Sequence, residues 1–209
     1  MKCFSWSSLF SVFIFTAFSS VSIANEQGKS LYQSCIACHG QNAEGNELLK
    51  APALAGQFDW YLEQQVTNFK TGLRGSHKDD LAAKTMLPVL ANLQSTADVK
   101  AVSQYLASLS PVQYAPKLTA DMKNGYRYYQ GKCGACHGDS AQGNKSFNAP
   151  KLAGLSSDYL ALQMANFSKG VRGYHKDDKL GRQMAMMAKM TSGQELVDIL
   201  FYIESQAQK

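Results

Sequence analysis

Positive charge, cysteine and long apolar runs are all in short supply in this chain of 209 residues. Lys and Arg exceed Asp and Glu by only five, and no basic run stands out. So mild an excess hints at acidic partners but is too weak to argue for nucleic-acid binding. No convincing period-2 alternation marks a strand, which points to an all-α chain. The N-terminal apolar run, Leu9 to Phe18, is about ten residues, against the roughly 20 that a bilayer span needs. It follows Lys2 and precedes Ser22-Ile23-Ala24, the pattern of an export signal cleaved before Asn25. Cys3 leaves with that segment, so the exported chain has four cysteines. Its composition, 45% hydrophobic and 18% charged, is that of a globular protein.

Those four cysteines and two of the four histidines fall into one repeated pattern: CIACHG from Cys35 and CGACHG from Cys133. Disulfides are the default for exported cysteines, but a C-x-x-C loop is tight and the following histidine has no part in a disulfide. In C-x-x-C-H the two thiols can add to the two vinyl groups of a haem, and the next residue places an imidazole at the iron. Cys35 and Cys38 are therefore expected to carry one haem with His39 as iron ligand, and Cys133 and Cys136 a second with His137.

The pattern belongs to a larger repeat. At an offset of 98, 26 of the 52 positions from Cys35 to Met86 match Cys133 to Met184. The matches form blocks: ACHG, GN, AP-x-LAG, YL, NF and RG-x-HKDD. Two copies of single-domain size imply an internal duplication rather than a solenoid. The expected organisation is a signal over 1–24, a domain over 25–112, a linker over 113–122 and a second domain over 123–209. Helices are expected over 61–70 and 159–169. Capping boxes at Ser95 and Ser192 announce the closing helix of each half.

Each half offers a methionine and a histidine as the second axial ligand: Met86 or His77, and Met184 or His175. The histidines sit in polar RG-x-HKDD segments, whereas the methionines precede an apolar stretch, so Met86 and Met184 are favoured. Met186 and Met187 are alternatives in the second half. Pro52 and Pro150 are candidates to orient the imidazoles through their carbonyls. Arg74 and Arg172 are candidates to pair with haem propionates.

The CxxCHG motifs, the following GN, AP-x-LAG, the YL…Q…F…G-x-RG segment, the late methionine and the linker around Tyr114-Ala115-Pro116 resemble the cytochrome c4 family over essentially the whole mature chain. The resemblance implies two tandem class I cytochrome c domains, all-α, related by a pseudo-twofold axis, with two covalently bound haem c groups near the domain interface. It implies a periplasmic electron carrier, not an enzyme, between a quinol-cytochrome c reductase type donor and a terminal oxidase type acceptor. A dihaem electron-accepting subunit of a larger oxidoreductase, such as a flavin-dependent sulfide dehydrogenase, is the alternative. No nucleic-acid partner is expected. The expected state is a monomer containing a pseudo-twofold domain pair, compatible with peripheral membrane association.

Overall fold

The structure, a computed structural model, describes residues 20–114 and 117–207, with side chains from residue 25 onward. Residues 1–19 of the expected export signal, and Ala115 and Pro116 of the expected linker, lie outside the described residues. No named strand occurs among the described residues, only the isolated bridges Asn46–Ala51 and Asn144–Ala149.

The first half contains α1 (Ser20–Tyr32), α2 (Ile36–His39), α3 (Asp59–Lys70), α4 (Leu81–Lys84), α5 (Met86–Val89) and α6 (Thr96–Ser108). The second contains α7 (Met122–Tyr129), α8 (Ala135–His137), α9 (Ser157–Ser168), α10 (Lys179–Lys189) and α11 (Gly193–Gln206). The opening helix of each half packs on its closing helix, α1 on α6 and α7 on α11. Glycine permits both crossings. A Cβ on Gly28 would run into the Ala101 carbonyl, and one on Gly125 into the Asp198 carbonyl. Beside each crossing lies a tyrosine pair, Tyr32 with the partly buried Tyr105 at 5.8 Å and Tyr129 with Tyr202 at 5.0 Å between ring centroids. Leu62, Phe69, Leu93, Val102 and Leu106 complete the first core; Leu160, Ile199, Leu200 and Ile203 complete the second.

The Ser95 capping box forms as expected, with both reciprocal hydrogen bonds to Asp98. The one expected at Ser192 does not. Gly193 takes φ +58°, and the Glu195 carboxylate, which would close the box, is held by the Lys132 ammonium. A second difference lies at the late methionine. Pro88 has no N–H to give and its ring crowds the carbonyl four residues back, so the first half makes two short helices, α4 and α5. The second half has no proline there, and α10 runs unbroken.

The halves are joined by side chains as well as by the linker. Gln57 brackets the backbone of Lys151, donating to its carbonyl (2.9 Å) and accepting from its N–H (3.1 Å). The Lys151 ammonium donates to the Gly56 carbonyl at 2.8 Å. Tyr114 donates to the Glu44 carbonyl at 2.6 Å, and Lys117 pairs with Glu47.

Candidate haem-binding sites

Each C-x-x-C-H segment forms a short helix that ends at a glycine with φ near +80°, Gly40 and Gly138, a conformation that glycine adopts without steric cost. The chain then doubles back. Gly45 N–H donates to the His39 carbonyl, and the Asn46–Ala51 bridge returns the backbone to the histidine. Tyr32 Oη donates to the Gly40 carbonyl at 2.6 Å. The second half repeats every one of these contacts with Gly143, Asn144–Ala149 and Tyr129.

This loop delivers a proline carbonyl to each imidazole. His39 Nδ1 lies 2.9 Å from Pro52 O, and His137 Nδ1 lies 2.9 Å from Pro150 O. A carbonyl only accepts, so Nδ1 carries the proton and Nε2 presents a lone pair. Both rings are buried, 3% and 6% exposed. Burial holds both imidazoles below the ordinary histidine pKa; the proline carbonyls oppose this, and the Arg74 charge adds to it at His39. Each is thus a neutral, oriented, buried nitrogen donor, the form in which histidine binds a metal.

What faces that donor differs between halves. In the first, Met86 Sδ stands 3.5 Å from His39 Nε2. On zinc-like bond lengths the two bonds sum to about 4.3 Å, so the pair stands closer than a metal lying in line between them would hold it. In the second, His137, Met184 and Met187 line a cavity of about 300 Å³, with Cys133 and Cys136 on its wall. Met184 and Met187, three residues apart, share the inner face of α10; Met186 points outward and is 62% exposed. Leu152, Leu155, Phe167 and Ile199 add apolar wall to it. Cys35, Cys133 and Cys136 are half-buried and Cys38 is exposed.

His77 and His175 sit away from these donors. They lie half-exposed on facing loops, where the His77 ring packs edge-on against Tyr174 and Ser76 hydrogen-bonds the Tyr174 hydroxyl. Each accepts an N–H from the residue two along, Asp79 or Asp177.

Arg74 and Arg172 come together in the interface between the halves. Arg74 donates to Gln65 Oε1 (2.8 Å) and the Tyr159 hydroxyl (3.2 Å). Arg172 donates to Gln163 Oε1 (2.8 Å), Gln65 Oε1 (3.1 Å) and the Tyr61 hydroxyl (3.4 Å). Each guanidinium also lies over a phenylalanine, Phe69 or Phe167. None of these partners is a carboxylate. Burial alone would raise the Tyr159 phenol, but the two guanidiniums outweigh it and hold its pKa below the ordinary value. Both arginines border the second cavity, and Arg74 Nε is buried there without a hydrogen-bond partner. Tyr61, Gln65, Tyr159 and Gln163 were not singled out from the sequence, although each recurs in its copy at the same offset of 98.

These features fit a haem: paired thiols, an oriented imidazole, a thioether across from it, apolar walls, and cations lacking anionic partners. A fold of two small helical domains, each built around C-x-x-C-H, defines a tandem c-type cytochrome. The cytochrome c family profile matches residues 25–110 and again 122–207. Cytochrome c4 of Azotobacter vinelandii is 30% identical over 191 residues, 85% of this chain and 86% of that one. A thiosulfate dehydrogenase electron acceptor of Thiomonas intermedia is 30% identical over 175 residues, 77% of this chain and 73% of that one. The crystal structure of reduced cytochrome c4 from Pseudomonas stutzeri superposes with a TM-score of 0.67 at 27% identity, covering 86% of this chain and 97% of that one. The chain belongs to the cytochrome c4 family. It is a dihaem electron-transfer protein whose two motifs carry two covalently bound haem c groups.

Proposed function

We propose that the chain is a periplasmic carrier that takes electrons from a quinol-oxidising complex and delivers them to a terminal oxidase or similar acceptor, with no catalysis of its own. In this reading His39 and Met86 would hold the first iron, and His137 and Met184 the second. Pro52 and Pro150 orient the imidazoles, and Arg74 and Arg172 neutralise the propionates. The observation that carries it is the approach of Met86 Sδ to within 3.5 Å of His39 Nε2. An iron held by both donors would have no position left for a substrate, and methionine ligation favours a high potential. No helix among the described residues is long and apolar enough to cross a membrane. The expected export signal agrees with the periplasmic placement.

A second reading has support from the relatives: this chain could serve as the electron-accepting subunit of a larger enzyme, the role named for the Thiomonas protein. Carbon monoxide added to the reduced holoprotein tests the ligand set. Two closed irons leave the haem spectrum unchanged, whereas prompt binding at either iron contradicts the carrier assignment for that half. Copurification with a dehydrogenase separates the carrier from the subunit.

A further inference from the structure

The duplication supplies an internal control for charge. Residues 25–110 hold seven Lys and Arg against eight Asp and Glu; residues 122–207 hold eleven against seven. The halves therefore carry formal charges of −1 and +4. Part of the excess lies at the rim of the second site. At the rim of the first site Glu47 precedes the exposed Leu48 and Leu49; at the matching place in the second, Lys145 precedes the exposed Phe147. Leu81 of α4 becomes Lys179 of α10 under the same offset.

Helix α10 contains three basic residues and no acidic one. Arg182, Met186, Lys189 and Met190 follow helical spacing along its exposed side. This side adjoins the mouth of the second cavity: Phe147 lines it, and so does Lys132, whose ammonium donates to the Met190 carbonyl at 2.7 Å. Phe147, Met186 and Met190 are 55%, 62% and 60% exposed. The carboxylates nearby are engaged elsewhere. Asp178 caps α10, Glu195 holds Lys132, and Asp177 lies against His175. Among the described residues, none of Lys145, Lys179, Arg182 and Lys189 is in an ion pair.

We infer that this face, Lys145 and Phe147 with the outer side of α10, is the docking surface for an acidic redox protein, and that the first domain does not share it. The inference rests on the carrier reading. An exposed apolar centre within unpaired cations is suited to a small, transient, electrostatically steered encounter. Methionines adapt to more than one partner surface. The arrangement places the contact beside Cys133 and Cys136, and so beside the haem that they carry.

The test is titration of the 15N-labelled holoprotein with poly-L-glutamate at low salt. The expected result is a set of resonance shifts confined to residues 145–148 and 179–190, with residues 47–50 and 81–84 unmoved. The K145E/R182E/K189E variant, its haem spectrum unchanged, should bind at least about tenfold more weakly. Equal shifts in both domains, no shifts, or full binding by the triple variant would overturn the proposal. So would binding to phosphatidylglycerol vesicles in the absence of poly-L-glutamate binding, which would assign the face to a membrane surface. Failure of the carrier reading would show instead as ligand uptake at an iron, which this titration does not measure.

Discussion

The two domains descend from one design and differ in spacing by single residues in two places, one just before the second C-x-x-C-H motif and one after Met184. The opening helices align at an offset of 97 (Gly28 with Gly125, Tyr32 with Tyr129), the haem motifs at 98, and the closing helices again at 97 (Tyr105 with Tyr202). One residue is therefore gained before Cys133 and one lost after Met184. The gain is taken up by a π-helical turn over Gln130–Gly134, where the first half has a tight 3₁₀ turn over Gln33–Cys35. Single-residue insertions into helices commonly appear as such bulges, frequently at functional sites. The loss accompanies the change from the proline-broken α4–α5 to the continuous α10. Between these edits the crossing of the terminal helices is preserved, glycine against carbonyl and tyrosine against tyrosine. The frame is fixed by close packing, and the two haem environments are free to diverge inside it.

The most damaging way to break the comparison is at its shared part. Gly28→Ala and Gly125→Ala should each destabilise their own domain by about 3 kcal/mol, the upper part of the range for overpacking. Thermal unfolding of the holoprotein would then show two separated transitions. A Gly28→Ala protein that melts like the wild type would mean that the α1–α6 crossing is looser than described. At the haems, Met86→Ala should lower one of the two potentials by on the order of 0.1 V, since axial ligands set haem potentials over a range of about 0.8 V. Met184→Ala should lower the other, while Met186→Ala, on the outer face of α10, should leave both unchanged. Redox titration followed optically distinguishes these outcomes. If Met187→Ala gives the large shift and Met184→Ala does not, the second ligand lies one turn further along.

Smaller effects sharpen the contrast at the closing helices. Ser95→Ala removes a formed cap and should cost about 1 kcal/mol, measured as a lower unfolding midpoint of the first domain. Ser192→Ala, where no side-chain cap forms, should cost almost nothing. The smallest effect concerns pH. Burial holds the Lys151 ammonium below its ordinary pKa at the domain interface. The folded protein therefore binds this proton less tightly than the unfolded chain does. Stability should rise as alkaline pH passes the folded value toward the ordinary 10.5 and then level off. Lys151→Met should abolish that rise, read from melting temperature between neutral and alkaline pH.

Much of this architecture was legible in the sequence because covalent haem attachment demands a fixed spacing. Cys35, Cys38, His39 and their counterparts announce themselves, and the offset of 98 then identifies Pro52, Arg74 and Met86 with their copies. The helices over 61–70 and 159–169 were visible in their repeated blocks and extend two residues further toward the N-terminus. The remainder depends on contacts between distant segments. Nothing local in S-G-Q-E at Ser192 reveals that Lys132, some 60 residues earlier, takes the Glu195 carboxylate. Among Met184, Met186 and Met187 the choice turns on which side of α10 faces the cavity, and that is set by packing. Arg74 reads as a residue of the first domain, yet the fold sets it against Tyr159 and the wall of the second cavity. Pairing across a domain interface leaves no mark on the spacing within either domain.

The central claim, two irons each held between a histidine and a methionine, is tested most directly by the optical spectrum of the oxidised holoprotein. Methionine sulfur on ferric haem c gives a weak long-wavelength band. That band should have the intensity of two haems in the wild type, fall by half in Met86→Ala and be lost in the Met86→Ala/Met184→Ala double variant. A wild-type band worth one haem, or none, would contradict it and would return His77, His175 or an open iron to consideration.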